Sequence, residues 1–167
     1  MKHSKYPKLF EKGYIGNLEI KNRIVRMPMG TDLGNPDGSA TDRQITAYAE
    51  AAEGGPGIVY MDAIAPVKIH HCGLVAASDS MIANLSLLAE AIKYHGAIAG
   101  AQIAHPGRDA GFVGGDDLVA PSAIQWEPWY QHGAAIPREL SLKEIHEMVS
   151  AYGDAAGRCY IAGFDIV

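Results

Sequence analysis

Ala97-Ile98-Ala99-Gly100-Ala101-Gln102-Ile103-Ala104-His105-Pro106-Gly107-Arg108 is an apolar run closed by an amide, a histidine and a Pro-Gly break. Buried β-strands that open onto a working surface have this composition. Small residues allow close approach, and the Gln102 amide offers two donors and an acceptor to whatever arrives. Working outward, two more apolar runs end in the same manner. Lys21-Asn22-Arg23-Ile24-Val25-Arg26-Met27 predicts a first buried strand stopped by Pro28. Gly57-Ile58-Val59-Tyr60-Met61-Asp62 predicts a second, ending in Ala63.

Helix signals lie between the strands. Thr41-Asp42-Arg43-Gln44 reads as a capping box opening a helix through Ile45, Tyr48, Ala49 and Ala52, stopped at Gly54-Gly55-Pro56. Ile82, Leu85, Leu88, Ala89 and Ile92 mark the apolar face of a second helix ended at Gly96. Ser141-Leu142-Lys143-Glu144 is a second capping box, with Ile145, Met148, Val149, Tyr152, Ala156 and Cys159 on its helix. Phe164 to Val167 begins a fourth strand. Residues 9–21 alternate about Gly16-Asn17 and predict a hairpin. Segments 30–40, 67–79 and 105–140 read as loops; the last is long enough to carry function or small elements of its own.

Alternating strands and helices imply an α/β parallel sheet with crossover helices. Doubly wound sheets and (β/α)8 barrels both fit. No Gly-x-Gly-x-x-Gly follows the first strand, which disfavours the dinucleotide-binding version. In a barrel the working residues gather at the C-terminal strand ends, where Pro28-Met29-Gly30, Ala63 and Gln102 to His105 stand. The expected architecture is therefore a partial barrel: a hairpin, strands one to four and three intervening helices. With its last strand only four residues long, the chain is expected to be a fragment or truncated product holding the N-terminal half of one barrel domain over 1–167.

The 167 residues are 48% apolar and 20% charged, which describes a folded domain and not a disordered tail. Net charge is −5 without a basic cluster, against nucleic acid as a partner. The N-terminus lacks a signal-peptide core, and no apolar run nears the ~20 residues that span a bilayer. Cys72 and Cys159 form no paired motif, so reduced thiols and a cytoplasmic location are expected. His70-His71-Cys72 has no fourth ligand at useful spacing and predicts no metal site.

Several motifs in order, Leu9-Phe10, Ile15-Gly16-Asn17-Leu18, Lys21 to Val25, Met27-Pro28-Met29, Gln102 to Arg108, Ala120 to Ile124 and Ala162 to Val167, resemble the N-terminal half of the Old Yellow Enzyme family. The likeness is closest to the NADH:flavin oxidoreductase and 2,4-dienoyl-CoA reductase branch. It implies FMN across the C-terminal face of the barrel. Pro28, Met29 and Gly30 match the first-strand loop beside the isoalloxazine. Ala63 matches the small residue after strand two whose backbone meets the ring, and Gln102 the amide on its pyrimidine edge. Gly30 departs from relatives that carry Thr or Cys there to adjust the flavin potential.

The resemblance further implies NADH or NADPH as hydride donor and an activated C=C bond, in an unsaturated carbonyl or thioester, as substrate. It leaves the proton donor and the phosphate grip beyond Val167. An iron–sulfur cluster and FAD would belong only to such a further region. His105 is expected to order its loop with Arg108, while Trp126 and Trp129 read either as a substrate-side cover or as a loop anchor. Two other readings stay open: a non-catalytic half-barrel or pairing module that self-associates through open strand edges, and an FMN or phosphate-binding barrel of different chemistry.

Overall fold

The structure, a computed structural model, describes residues 5–69, 73–112, 118–126 and 135–167. Strands β1 (Gly13–Ile15) and β2 (Leu18–Ile20) pair antiparallel about Gly16, whose φ of 55° suits the turn. The expected hairpin therefore forms, but shorter, because Pro7–Leu9 already coils into a 3-10 turn. Next come β3 (Val25–Arg26), helix α1 (Asp42–Glu53), β4 (Ile58–Ala65), β5 (Leu74–Val75), α2 (Ile82–Tyr94) and β6 (Ile98–Ile103). A second small ladder joins β7 (Val119–Ala120) to β8 (Arg138–Glu139), and α3 (Leu142–Ile161) follows.

In the central sheet β3 pairs parallel with β4, β4 with β6, and Gly100 of β6 with Ile166. Apart from the two-residue β5, which pairs with the far end of β4, each strand thus lies beside its successor in chain order, all parallel. A doubly wound sheet would reverse direction part-way. The helices keep the same order, with α1 against α2 and α2 against α3, in one layer outside the strands. This is how a barrel is built.

Val59 and Met61 of β4 and Ala99 and Ala101 of β6 meet the helix layer, where Tyr48, Ala52, Leu85, Leu88, Ile92, Ala155 and Cys159 complete the core. Small strand residues let the helices close on the sheet. Close approach also decides Gly57. A Cβ there would collide with the Asn22 carbonyl oxygen.

Five details differ from the sequence reading. The first strand is neither long nor buried: only Val25 and Arg26 pair, and Val25 is 37% exposed. Asn22 interrupts it, its side-chain oxygen accepting from the Ile24 N–H at 3.1 Å while its amide donates to the Gly55 carbonyl at 2.8 Å. The second strand continues to Ala65, so Ala63 lies within it. Ile64 pairs with Leu74 on one side and Ile103 on the other, and these partners hold the strand straight past the expected end. The 67–79 loop therefore contains a strand whose two residues are buried. On α3 the core residues are Ala155 and Cys159, while Val149 is 65% exposed. The fourth strand is a single bridge at Ile166.

The α3 capping box is complete, with Ser141 Oγ accepting from the Glu144 N–H and the Glu144 carboxylate accepting from the Ser141 N–H. Arg138 and the Ser141 donors hold the Glu144 carboxyl down at about 2. The α1 box is only half made. Thr41 Oγ1 caps the Gln44 N–H at 3.1 Å, but the Gln44 side chain turns inward instead of reaching back.

Candidate functional site

The C-terminal ends of β4 and β6 place Ala63 directly beside Gln102 as register partners. The register between the two strands shifts between Tyr60 and Ala63. That irregularity lets Met61 and Asp62, adjacent in sequence, both be buried, and it leaves Ala63 exposed. Gln102 is likewise exposed, on the strand face it shares with Gly100, whose Cα backs onto the Tyr60 ring. The amide is therefore presented at the open end of the strands, next to a methyl group.

Gly30 joins Ala63 in lining a hollow of about 210 Å³, with Asp62, Ala65, Leu74, Ala104 and Pro106 among its walls. A Cβ added at Gly30 would meet no heavy atom within 4 Å. Asp32 also lines the hollow, with φ at 52°, the one described non-glycine residue in the left-handed region. Pro28 and Met29 precede Gly30 in the chain but do not line the hollow, and Met29 is 65% exposed. The structure thus brings Gly30 and Ala63 to one hollow, sets Gln102 beside Ala63, and leaves Met29 largely exposed.

Beneath this surface lies a polar cluster that the sequence reading did not single out. Asp62 is only 5% exposed and accepts on both oxygens. Thr31 donates to Oδ2 through its N–H at 3.0 Å and its hydroxyl at 2.8 Å. The Tyr48 hydroxyl donates to Oδ1 at 2.8 Å and itself accepts from the Asp62 N–H at 2.8 Å. The Gln44 amide spans both oxygens at 3.3 Å and reaches Thr31 Oγ1 at 3.1 Å. Every partner of the carboxyl is a donor, as an ionised carboxylate requires.

The Arg26 guanidinium stacks 4.6 Å over the Tyr48 ring and donates to the Tyr60 carbonyl at 2.8 Å. Burial, then the Asp62 charge, pushes the Tyr48 phenol up to about 12. One signal could have exposed this cluster: Asp62 is the sole charged residue in Ile58–Ala65, and a buried carboxylate needs donors.

His105 orders its loop, as expected, though through Gly107 and not Arg108. Its Nδ1 accepts from the Gly107 N–H at 3.0 Å, and its own N–H donates to the Tyr152 hydroxyl at 2.9 Å. Burial lowers the imidazole pKa, which favours the neutral ring that this accepting nitrogen demands. His70, His71, Cys72 and Trp129 lie outside the described residues. Among the described residues no three His, Cys, Asp or Glu side chains gather as a metal would need, and no helix is long and apolar enough to cross a membrane.

The surface suits a flat, polar-edged cofactor such as FMN. Gly30, Ala63 and Ala104 carry no side chain larger than methyl, and Gln102 supplies donors and an acceptor at one edge.

Comparison with known proteins agrees with this geometry. The model of the NADH:flavin oxidoreductase / NADH oxidase family matches residues 8–167. An NADH oxidase of Thermoanaerobacter brockii is 40% identical over 166 residues, which is 96% of this chain and 25% of that protein. The structure of 2-naphthoyl-CoA reductase superposes with a TM-score of 0.86 at 26% identity, over 96% of this chain and 27% of the other. The Old Yellow Enzyme homologue of Zymomonas mobilis gives 0.81 at 26% identity, over 96% and 47%. The chain spans only part of the curated relatives it matches, from 16% of an NADH:fumarate oxidoreductase of Klebsiella pneumoniae to 47% of an NADPH dehydrogenase of Listeria monocytogenes.

Proposed function

The chain belongs to the NADH:flavin oxidoreductase / NADH oxidase family, and from that premise we propose that residues 1–167 form the N-terminal part of an FMN barrel in an oxidoreductase. Its reaction is reduction of an activated C=C bond, in an unsaturated carbonyl or thioester, with NADH or NADPH as hydride donor. The observation that carries the reading is the registered pair Ala63 and Gln102 at the strand ends, with Gly30 sharing the Ala63 hollow.

FMN would supply the hydride chemistry, accepting from the nicotinamide and passing to the alkene. The chain's own residues bind and orient. Gln102 would hydrogen-bond the pyrimidine edge, Ala63 and Gly30 would leave room for the ring plane, and Pro28 and Met29 would border it. Gly30 offers no side chain with which to adjust the potential, so tuning on this side falls to Gln102 and backbone N–H groups. No residue of 1–167 is assigned as proton donor, and none to an iron–sulfur cluster or FAD.

The test uses the full-length protein as its gene encodes it. It should purify yellow, release FMN on denaturation, bleach with NADH or NADPH, and recover colour on addition of an α,β-unsaturated ketone. A colourless protein that takes up no FMN on titration would end the proposal.

A further inference from the structure

We infer that Asp62 is a positioning residue for the flavin-facing wall: its buried carboxylate ties the segment after Gly30 to the strand position before Ala63, and so sets the spacing of the two segments. The inference rests on the FMN reading above and assigns Asp62 no contact with the cofactor.

Position in the chain is the first support. Thr31 follows Gly30 directly, and Asp62 precedes Ala63 directly. The Thr31 N–H and hydroxyl, at 3.0 and 2.8 Å, both converge on Asp62 Oδ2. One oxygen therefore joins the immediate neighbours of the two small residues that share the hollow. The 28–31 segment has no strand ladder of its own to hold it, since β3 ends at Arg26.

Chemistry is the second support. Inside an otherwise apolar strand a carboxylate is costly unless fully served by donors. Here the donors come from two separate parts of the chain, the irregular segment at Thr31 and helix α1 through Gln44 and Tyr48. The arrangement even leaves Gln44 Oε1 buried and without a hydrogen-bond partner. Rotating that amide would satisfy nothing, because it would turn oxygen toward the Asp62 carboxylate. An aliphatic residue at 62 would fill the core without these demands but would leave Thr31 untethered.

The experiment compares Thr31→Val, which deletes the hydroxyl's hydrogen bonds to Asp62 and Gln44 at the half-buried edge of the cluster, with Thr31→Ser, which restores them, in the full-length protein. FMN dissociation constants, the flavin midpoint potential and the unfolding midpoint are measured together. Thr31→Val is expected to weaken FMN binding roughly five- to tenfold, the scale of one ordinary hydrogen bond, and to move the potential. Thr31→Ser should return both to wild type. Tyr48→Phe, which removes a donor from the opposite side of Asp62, should weaken FMN binding in the same direction.

A Thr31→Val protein with lowered unfolding midpoint but wild-type FMN affinity and potential would overturn the inference, since a purely structural role predicts that pattern. If Gln102→Leu still alters FMN binding in that case, the flavin reading stands without it. If the wild-type protein binds no FMN at all, both fall together.

Discussion

Replacing Tyr48 by Phe removes one oxygen from the buried hydrogen-bond cluster around Asp62. That hydroxyl donates to Asp62 Oδ1 and accepts from the Asp62 N–H, each at 2.8 Å. The ring itself is fully buried and stays in place, so packing changes little. The variant loses a hydrogen bond to a charged group and leaves a buried N–H without a partner. The combined loss is about 3 kcal/mol.

Denaturant unfolding of the full-length protein should show this as a lower midpoint with an unchanged slope. Titration adds a second signature. The folded phenol is raised to about 12 from an ordinary 10, so the protonated form is favoured by folding. That contribution is complete below pH 10 and is lost as pH rises from there through about 12. The wild type should therefore lose stability over this window more steeply than Tyr48→Phe. A variant within about 0.5 kcal/mol of wild type, the range of ordinary surface changes, with an identical alkaline profile, would refute the assignment of these bonds.

Gly100→Ala should destabilise by about 1–3 kcal/mol through overpacking, because the new Cβ would lie 2.5 Å from the Tyr60 ring. Shortening the obstacle with Tyr60→Val should recover much of the loss in a double-mutant cycle. Cys159 is buried on the core face of α3, and burial pushes its thiol up to about 11. It should resist iodoacetamide at pH 8 in the native protein and react once the chain is unfolded; equal rates in both states would contradict its placement.

Local signals carried most of what the sequence disclosed. The Gly16-Asn17 turn, the Ser141–Glu144 box and the 82–92 periodicity each act within a few residues, and each formed as expected. What stayed hidden depends on pairing across distance. The length of β4 is set by Leu74 and Ile103, far along the chain, so its end could not be placed from the run at 57–62 alone.

Gln44 shows the same limit. Its spacing from Thr41 fits a capping box, but a buried carboxylate 18 residues on is a stronger partner for its amide than a solvated helix end. The residue types at Gly30, Ala63 and Gln102 could be picked out by their resemblance to a family. The meeting of Ala63 with Gln102 is visible only in the register, and that of Gly30 with Ala63 only in the hollow they share. Asp62 and Thr31 carry no periodic signal of their own because each is a single polar residue in an apolar or loop segment; the period places Tyr48 on its helix but does not disclose the partner of its hydroxyl.

The most direct test of the central claim is FMN titration of the full-length protein with and without Gln102→Leu, followed by fluorescence quenching of the free flavin. Leucine keeps the bulk of the side chain and removes its donors and acceptor, and Gln102 is exposed, so the fold should survive. The account predicts stoichiometric binding by the wild type and an affinity about tenfold weaker in the variant, as expected for loss of a ligand hydrogen bond. Identical dissociation constants for the two proteins would contradict the assignment of Gln102 to the flavin edge.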